Sequence, residues 1–242
     1  MKQLIFKQDQ YWNEWFSGLV DGDGSLLISK KGYMSLEITM SIYDEKTLLQ
    51  IKQKLKGSIK IRTNALAFRY RLHHKDGMIK ALNKLNGLCR NSKRVVQLQK
   101  LCQYADIVYK NPIPLTLNNA WFSGFFDADG TLGYSFANSW PQLTISVSNK
   151  KLIDCEVFKS FFNGNIYLDK RSNTYKWVIS SKEELLFFCA YLQNYPLQSY
   201  KQKRVLLISE FFKLREIGAY NYPKETKTYK NWKIFEDKWS FN

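Results

Sequence analysis

Histidine is nearly absent from this chain, with only His73 and His74 among 242 residues. The four cysteines, Cys89, Cys102, Cys155 and Cys189, are scattered and show no CxxC spacing. A zinc finger needs four clustered Cys or His ligands, so that class is excluded, and the cysteines read as buried, reduced, small apolar residues. Long apolar runs are missing too. No stretch nears the roughly 20 residues that span a bilayer, and residues 1–8 hold too short an apolar segment for a secretory signal. The expectation is a soluble protein, intracellular or made inside the compartment where it works. Acidic residues are scarce, with 21 Asp and Glu against 37 Lys and Arg, for a net charge of +16. Such an excess repels itself and suits an anionic partner. Nucleic acid fits better than membrane, because the basic residues are interleaved with Tyr, Phe and Trp and are not gathered on one amphipathic helix.

What is present is a core and a repeat. Hydrophobic residues make up 45% of the chain, which excludes general disorder. Residues 15–24, Trp-Phe-Ser-Gly-Leu-Val-Asp-Gly-Asp-Gly, return as residues 121–130, Trp-Phe-Ser-Gly-Phe-Phe-Asp-Ala-Asp-Gly, at an offset of 121 − 15 = 106 with seven of ten positions identical. Further echoes follow: Thr39–Ile42 with Thr144–Val147, Gly57–Ile59 with Gly164–Ile166, and Lys93–Val95 with Lys203–Val205. Two copies of a unit of about 100 residues mark an internal duplication and not a solenoid. The expected organisation is a first half over 1–104, a linker over 105–118 containing Pro112 and Pro114, a second half over 119–217, and a basic tail over 218–242 with no counterpart in the first half. Up to residue 104 the charges are 19 basic and 8 acidic, net +11; the remainder has 18 and 13, net +5. An anionic partner would touch both halves.

Each copy reads in the same order. A helix ends at Asp-Gly, with Gly24 or Gly130 as its stop signal. Strands are expected over 25–29, 33–42, 59–62 and 67–72, and over 131–136, 142–148, 166–169 and 175–180. Helices are expected over 45–55, 78–85 and 93–103, and over 151–161, 182–192 and 201–214. The pattern, helix-β-β-helix-β-β-helix twice, is an α+β fold.

Asp-x-Asp-Gly also occurs in calcium loops. An EF-hand needs Gly at loop position 6 and Glu at position 12, but counting from Asp21 these are Leu26 and Gly32, and from Asp127 they are Leu132 and Asn138. Both copies fail. Turn-forming caps would suffice for one copy, but two in the same Trp-Phe-Ser-Gly setting point further. A carboxylate at a helix C-terminus faces the partial negative charge of the dipole, so Asp23 and Asp129 cost stability unless a cation offsets them. The mid-helix pairs Ser17-Gly18 and Ser123-Gly124, where Gly costs about 1 kcal/mol relative to Ala, make sense if two backbones must touch. Side by side, two such helices bring both aspartates to one point on a pseudo-two-fold axis, with Trp15, Trp121, Phe16 and Phe122 as core anchors. Carboxylates and carbonyls at such a junction suit Mg²⁺.

The two decapeptides resemble the LAGLIDADG motif of homing endonucleases, in the single-chain form that carries it twice. Element order and spacing are similar from about residue 11 to 215. The resemblance implies two αββαββα halves whose saddle-shaped antiparallel sheets sit over DNA, with the motif helices packed at the centre. It implies a monomeric Mg²⁺-dependent endodeoxyribonuclease making a double-strand break in a long, asymmetric target. Asp23 and Asp129 are then metal ligands, assisted by the carbonyls of Gly22 and Ala128, while Asp21 and Asp127 are structural. Two or three Mg²⁺ ions would share the centre, with Mn²⁺ or Ca²⁺ as substitutes. The family also carries a basic residue near the start of the last helix of each half. Lys201 matches it, whereas the first-half counterpart, Asn91, departs, and Lys93 is the candidate to replace it. A polar residue after the second strand orients water; Asn149 fits and Ile42 does not, so unequal half-sites are expected.

Strand alternation then assigns a DNA face. In the first half it comprises Ser29, Lys31, Tyr33, Ser35, Glu37, Thr39, Lys60, Arg62, Arg69 and Arg71; in the second, Ser135, Ser139, Gln142, Thr144, Ser146, Tyr167, Asp169, Arg171 and Lys176. A β-ribbon fits the major groove, where Arg reads G and Gln reads A. The same family also includes intron RNA maturases, so intron RNA is the alternative partner. Abundant Lys, Asn, Tyr and Phe suit an AT-rich genome such as that of a mitochondrion or chloroplast.

Overall fold

The computed structural model describes residues 2–63 and 65–240, with side chains described from Gln8 onward. The first half contains α1 (Lys2–Asp23), β1 (Gly24–Ile28), β2 (Met34–Ser41), α2 (Glu45–Leu55), β3 (Ser58–Ile61), β4 (Ala67–Leu72), α3 (Lys75–Leu85) and α4 (Ser92–Tyr104). The second contains α5 (Trp121–Asp129), β5 (Gly130–Ala137), β6 (Trp140–Asn149), α6 (Leu152–Phe162), β7 (Asn165–Asp169), β8 (Thr174–Ile179), α7 (Lys182–Asn194) and α8 (Gln202–Glu216), followed by α9 (Lys227–Ser240). Each half builds one four-stranded antiparallel sheet, ordered β1-β2-β4-β3 and β5-β6-β8-β7. The expected α+β fold with two similar halves is what forms.

Alternation drives each sheet. Along β2 every second residue is buried, Met34, Leu36, Ile38 and Met40, and this face joins Leu48, Ile51, Tyr70 and Leu82 in a first core. The second core is strongly aromatic, with Phe122, Phe158, Phe162, Trp177 and Phe188 under β6 and β8. Burying two apolar faces separately leaves both opposite faces free for a partner.

Three expectations change in detail. The helix stops work differently from a left-handed glycine cap: Gly130 is extended, at φ −72°. A Cβ on Gly24 would lie 2.5 Å from the Val20 carbonyl oxygen, and one on Gly130 2.3 Å from Phe126 Cδ2, so the glycines supply space for a sharp helix-to-strand exit. Second, the echo Thr39–Ile42 with Thr144–Val147 is not the spatial match. Gly24 pairs with Ile38 and Gly130 with Val147, so β2 and β6 correspond at 147 − 38 = 109 residues. The β5–β6 hairpin is longer and turns through Asn138 and Ser139, both at positive φ, as a tight hairpin requires. Third, the segment over 218–242 is more than a polar tail. Trp232, Phe235 and Trp239 repeat at helical spacing on α9 and are buried in the second core against Tyr134 and Phe211.

Candidate active site

The centre of the molecule is the contact between α1 and α5. A Cβ on Gly18 would fall 2.1 Å from the carbonyl oxygen of Trp121, and one on Gly124 would fall 1.8 Å from that of Trp15. No other residue permits this approach. Each motif's indole also crosses to the other motif: Trp15 Nε1 donates to Asp127 Oδ2 and Trp121 Nε1 donates to Asp21 Oδ2, both at 2.8 Å. Asp21 further accepts from the backbone N–H of Arg90, and Asp127 from those of Gln198 and Ser199. These two acids are spent on holding the halves together. Burial pushes the Asp21 carboxyl up to about 6, against the pull of these hydrogen bonds.

Past them, the helix ends converge. A Cβ on Gly22 would touch Ala128 Cβ at 2.4 Å and lie 3.2 Å from Asp129 Oδ2. Asp23 and Asp129 are therefore neighbours, each at the negative end of a helix. Burial pushes Asp23 up to about 7, with repulsion from Asp129 adding to it; burial also raises Asp129, opposed by Lys201 and Arg94. Two carboxylates held so close and partly desolvated favour either a proton or a cation.

Two basic side chains clamp the helix ends. Lys201 Nζ donates to the carbonyls of Phe126, Asp127 and Ala128 at 3.0, 2.8 and 2.9 Å. Burial lowers the pKa of its ammonium. On α1 the equivalent place is taken by Arg94, 7% exposed, whose Nε donates to Val20 O and Nη2 to Gly22 O, both at 2.8 Å. Sequence reasoning missed Arg94: the counterpart of Lys201 is Asn91, and Arg94 reaches the helix end from one turn further along α4. Lys93 is exposed. The signal available was Lys93-Arg94-Val95 itself, in which the arginine faces the buried side.

Asn91, which departs from the expected basic residue, meets Asn149, which fits the expected polar one. Asn91 Nδ2 donates to Asn149 Oδ1 at 3.2 Å, Asn91 Oδ1 caps α4 at Lys93 N, and Asn149 Nδ2 is buried without a protein partner. Together with Gly22, Lys93, Arg94, Gln97, Asp129 and Lys151 they line a cavity of about 570 Å³. On the other side, Ile42 lies in a 3-10 turn that ends in the buried Asp44, whose Oδ1 accepts the Tyr200 N–H at 2.7 Å. Burial pushes Asp44 up to about 6, beside Lys201. The halves thus differ around a common pair of aspartates.

Among the described residues no group of three or more His, Cys, Asp or Glu side chains is placed to hold a metal. The donor set at the junction is two carboxylates and the carbonyls of Gly22 and Ala128, each already accepting one cationic hydrogen bond. This sparse, all-oxygen set fits a hard, largely hydrated divalent cation that completes its shell elsewhere.

The raised acids carry a sign. Asp21, Asp23 and Asp44 bind protons in the folded state up to about pH 6, 7 and 6, whereas their ordinary value is 3.8. Between those limits the folded state holds protons that the unfolded chain releases, so stability falls as pH rises through that window. The protein is expected to melt at a higher temperature at pH 5 than at pH 8 without added metal, read by calorimetry. A melting temperature that rises from pH 5 to 8 without metal would contradict this assignment.

The residues expected to face DNA share one side of each sheet. In the first, Ser35, Glu37, Thr39, Lys60, Arg69 and Arg71 lie on the face opposite Leu36, Ile38 and Tyr70, with Ser29, Lys31, Tyr33 and Arg62 at its ends. In the second, Ser135, Gln142, Thr144, Ser146, Tyr167, Asp169 and Lys176 lie opposite Leu143, Ile145 and Trp177. Ser146 is only 5% exposed. Asp169 is occupied locally, accepting from Arg171 N and Ser172 Oγ in the β7–β8 turn, and these bonds hold its carboxyl below the usual range. Ser139 and Arg171 lie in hairpin turns.

Comparison with known proteins agrees with this geometry. The family model described as LAGLIDADG endonuclease matches twice, over residues 16–105 and 122–212. The intron-encoded RNA maturase bI4 of Saccharomyces cerevisiae is 48% identical over 235 residues, covering 96% of this chain and 37% of that protein. A probable intron-encoded endonuclease, aI2, of Debaryomyces hansenii is 42% identical over 257 residues, covering 99% of this chain and 39% of that protein. The chain thus spans well under half the length of these two relatives. Among solved structures, the LAGLIDADG meganuclease I-AabMI bound to uncleaved DNA has a TM-score of 0.70 at 19% identity, covering 95% of this chain and 99% of that one, a likeness of fold. With one family motif on each of two crossing helices and a match to the family model in both halves, the chain belongs to the LAGLIDADG endonuclease family.

Proposed function

We propose that this protein is a site-specific homing endonuclease that cuts both strands of a long, asymmetric DNA target with Mg²⁺. The observation that carries this is the convergence of Asp23 and Asp129 at two helix ends between two basic sheet faces. When bound there, a divalent cation supplies an activated water, a counter-charge for the leaving oxygen and neutralisation of the phosphate. Asp23 and Asp129 would hold the ions, with the carbonyls of Gly22 and Ala128 beside them. Lys201 and Arg94 keep both helix ends in place and lend positive charge to the scissile phosphates. Asn149, held by Asn91, lines the cavity beside Asp129, where its side chain has a place to orient a water. Asp44 and Lys201 stand on the other side, so the two strands meet different groups.

The decisive experiment incubates protein, Mg²⁺ and duplex DNA spanning an intronless insertion site. Linear product, lost on adding a chelator, supports the reading; intact DNA under all divalent metals sinks it. Binding should also weaken steeply with salt, because phosphate contacts release counterions. With six to ten such contacts, affinity is expected to fall roughly 10³–10⁵-fold between 50 and 200 mM salt. A flat titration by gel shift would remove the basic saddle from the account.

The similarity to a yeast RNA maturase favours a second reading, a splicing cofactor for intron RNA on the same scaffold. Tight intron-RNA binding with DNA left uncut would select it. An intron-encoded protein of this kind is expected to act as a monomer in an organelle, the mitochondrion or chloroplast.

A further inference from the structure

The open face of the first sheet carries an acid where a phosphate-facing surface should have none. Glu37, its side chain 22% exposed, lies between Arg69 and Arg71. Its Oε1 is 3.1 Å from Arg71 Nε and its Oε2 is 3.5 Å from Arg69 Nη1, while the arginine side chains are 41% and 58% exposed for Arg69 and Arg71. Strand register explains the contact: Glu37 on β2 is paired with Arg71 on β4, and the neighbouring same-face pair is Thr39 with Arg69. A carboxylate here weakens phosphate attraction, and exposed ion pairs by themselves contribute little to stability. Its consequence is orientation. Arg71 sets its Nε edge 3.1 Å from Glu37 Oε1 in an ion pair, which leaves its Nη end for a ligand, and Arg69 Nε is buried with no hydrogen-bond partner.

We propose that Glu37, Arg69 and Arg71 form a guanine-reading unit in which Glu37 positions two arginine forks for the major groove. The proposal rests on the DNA-binding reading above. A guanidinium pairs bidentately with O6 and N7 of guanine, and a fork oriented beforehand loses less entropy on doing so. Residues two apart on a strand stand about 6.7 Å apart on one face, which matches roughly two base steps of 3.4 Å. The unit therefore reads two guanines about two steps apart. It sits near the centre of the target, since Glu37 pairs with Ser25, two residues beyond Asp23.

The second half provides an internal comparison. The same ladder positions hold Ser146, Val178 and Lys176, because Ser146 pairs with Val178 and Ser148 with Lys176 as Glu37 pairs with Arg71 and Thr39 with Arg69. No guanidinium stands there, so this pair of guanines belongs to one half-site only.

The test is selection of a randomised duplex DNA library by the full chain, without cleavage, in Ca²⁺. The wild type should enrich a lopsided motif with two guanines, on either strand, about two steps apart on one side of the centre. Arg71→Ala should lower discrimination at one of them about 10-fold. Glu37→Gln should lower it at both, leaving the rest of the motif and the melting temperature unchanged; a purely structural role for Glu37 would not move base preference. An enriched motif lacking these guanines overturns the proposal but keeps the nuclease reading. Loss of a single cytosine in Glu37→Gln, with both guanines retained, would make Glu37 itself the reader and also overturn it. Recovery of no duplex motif at all, together with failure to bind DNA, overturns both.

Discussion

Asp23→Asn and Asp129→Asn are each expected to reduce production of linear DNA by on the order of 10³-fold or more, while duplex binding persists. The size follows from the site's economy. Only two side-chain carboxylates stand at the helix junction, and no third His, Cys, Asp or Glu is grouped with them among the described residues. Neither can be replaced by a neighbour: Asp21 and Asp127 are spent on Trp121 and Trp15, and Lys201 and Arg94 are engaged on carbonyls. The same variants should melt at a higher temperature than wild type at pH 8 without metal. Each removes one of two adjacent, partly desolvated charges at the negative end of a helix, and an amide costs less there. The wild type should gain thermal stability from Mg²⁺ and the variants should not. Lower stability together with lost cleavage would mean the substitution broke the fold, and cleavage of both strands by either variant would remove the shared-centre mechanism. Plasmid cleavage assays and calorimetry read both arms.

The largest stability effect is expected from the smallest side chain. Gly124→Ala places a methyl 1.8 Å from the Trp15 carbonyl oxygen and 3.0 Å from Leu19 N, and Gly18→Ala places one 2.1 Å from Trp121 O and 2.7 Å from Phe125 N. The obstructing atoms are backbone on the facing helix, so no rotamer change relieves the clash. Alanine would gain about 1 kcal/mol of helix propensity, but overpacking of this kind costs about 3 kcal/mol or more. Overpacking wins by about 2 kcal/mol, and the melting temperature should drop by roughly 4–8 °C. Gly133→Ala is the control, since nothing lies within 4 Å of a Cβ there; its effect should stay within about 0.5 kcal/mol. A Gly124→Ala protein as stable as wild type would mean that α1 and α5 do not touch as described. Separating the helices also separates Asp23 from Asp129, so cleavage should fall faster than stability in Gly18→Ala, the milder clash.

Much of this was legible in the residues. The repeated Trp-Phe-Ser-Gly and Asp-x-Asp-Gly determined two helices that must cross closely and stop at a pair of acids. Period-two alternation in Phe68-Arg69-Tyr70-Arg71-Leu72 determined which side of the sheet is open. The indole-to-carboxylate bonds between the motifs were not legible, because each joins residues about 100 positions apart and forms only once the two helices cross. The C-terminal segment misled for a simpler reason: its mean composition is polar and basic, and only the spacing of Trp232, Phe235 and Trp239 marks one buried face.

The sequence by itself determined the duplication, the element order, the open faces and the two candidate aspartates, since these follow from periodicity and from the cost of Gly and Asp at particular helix positions. Only the tertiary contacts reveal which cation serves each helix end, that Asn91 and Asn149 are partners, that β2 and β6 match at 109 residues and that Glu37 lies between two arginines. Those depend on distances between segments far apart in the chain. Local propensity carries no information about such distances; strand register and backbone approach do.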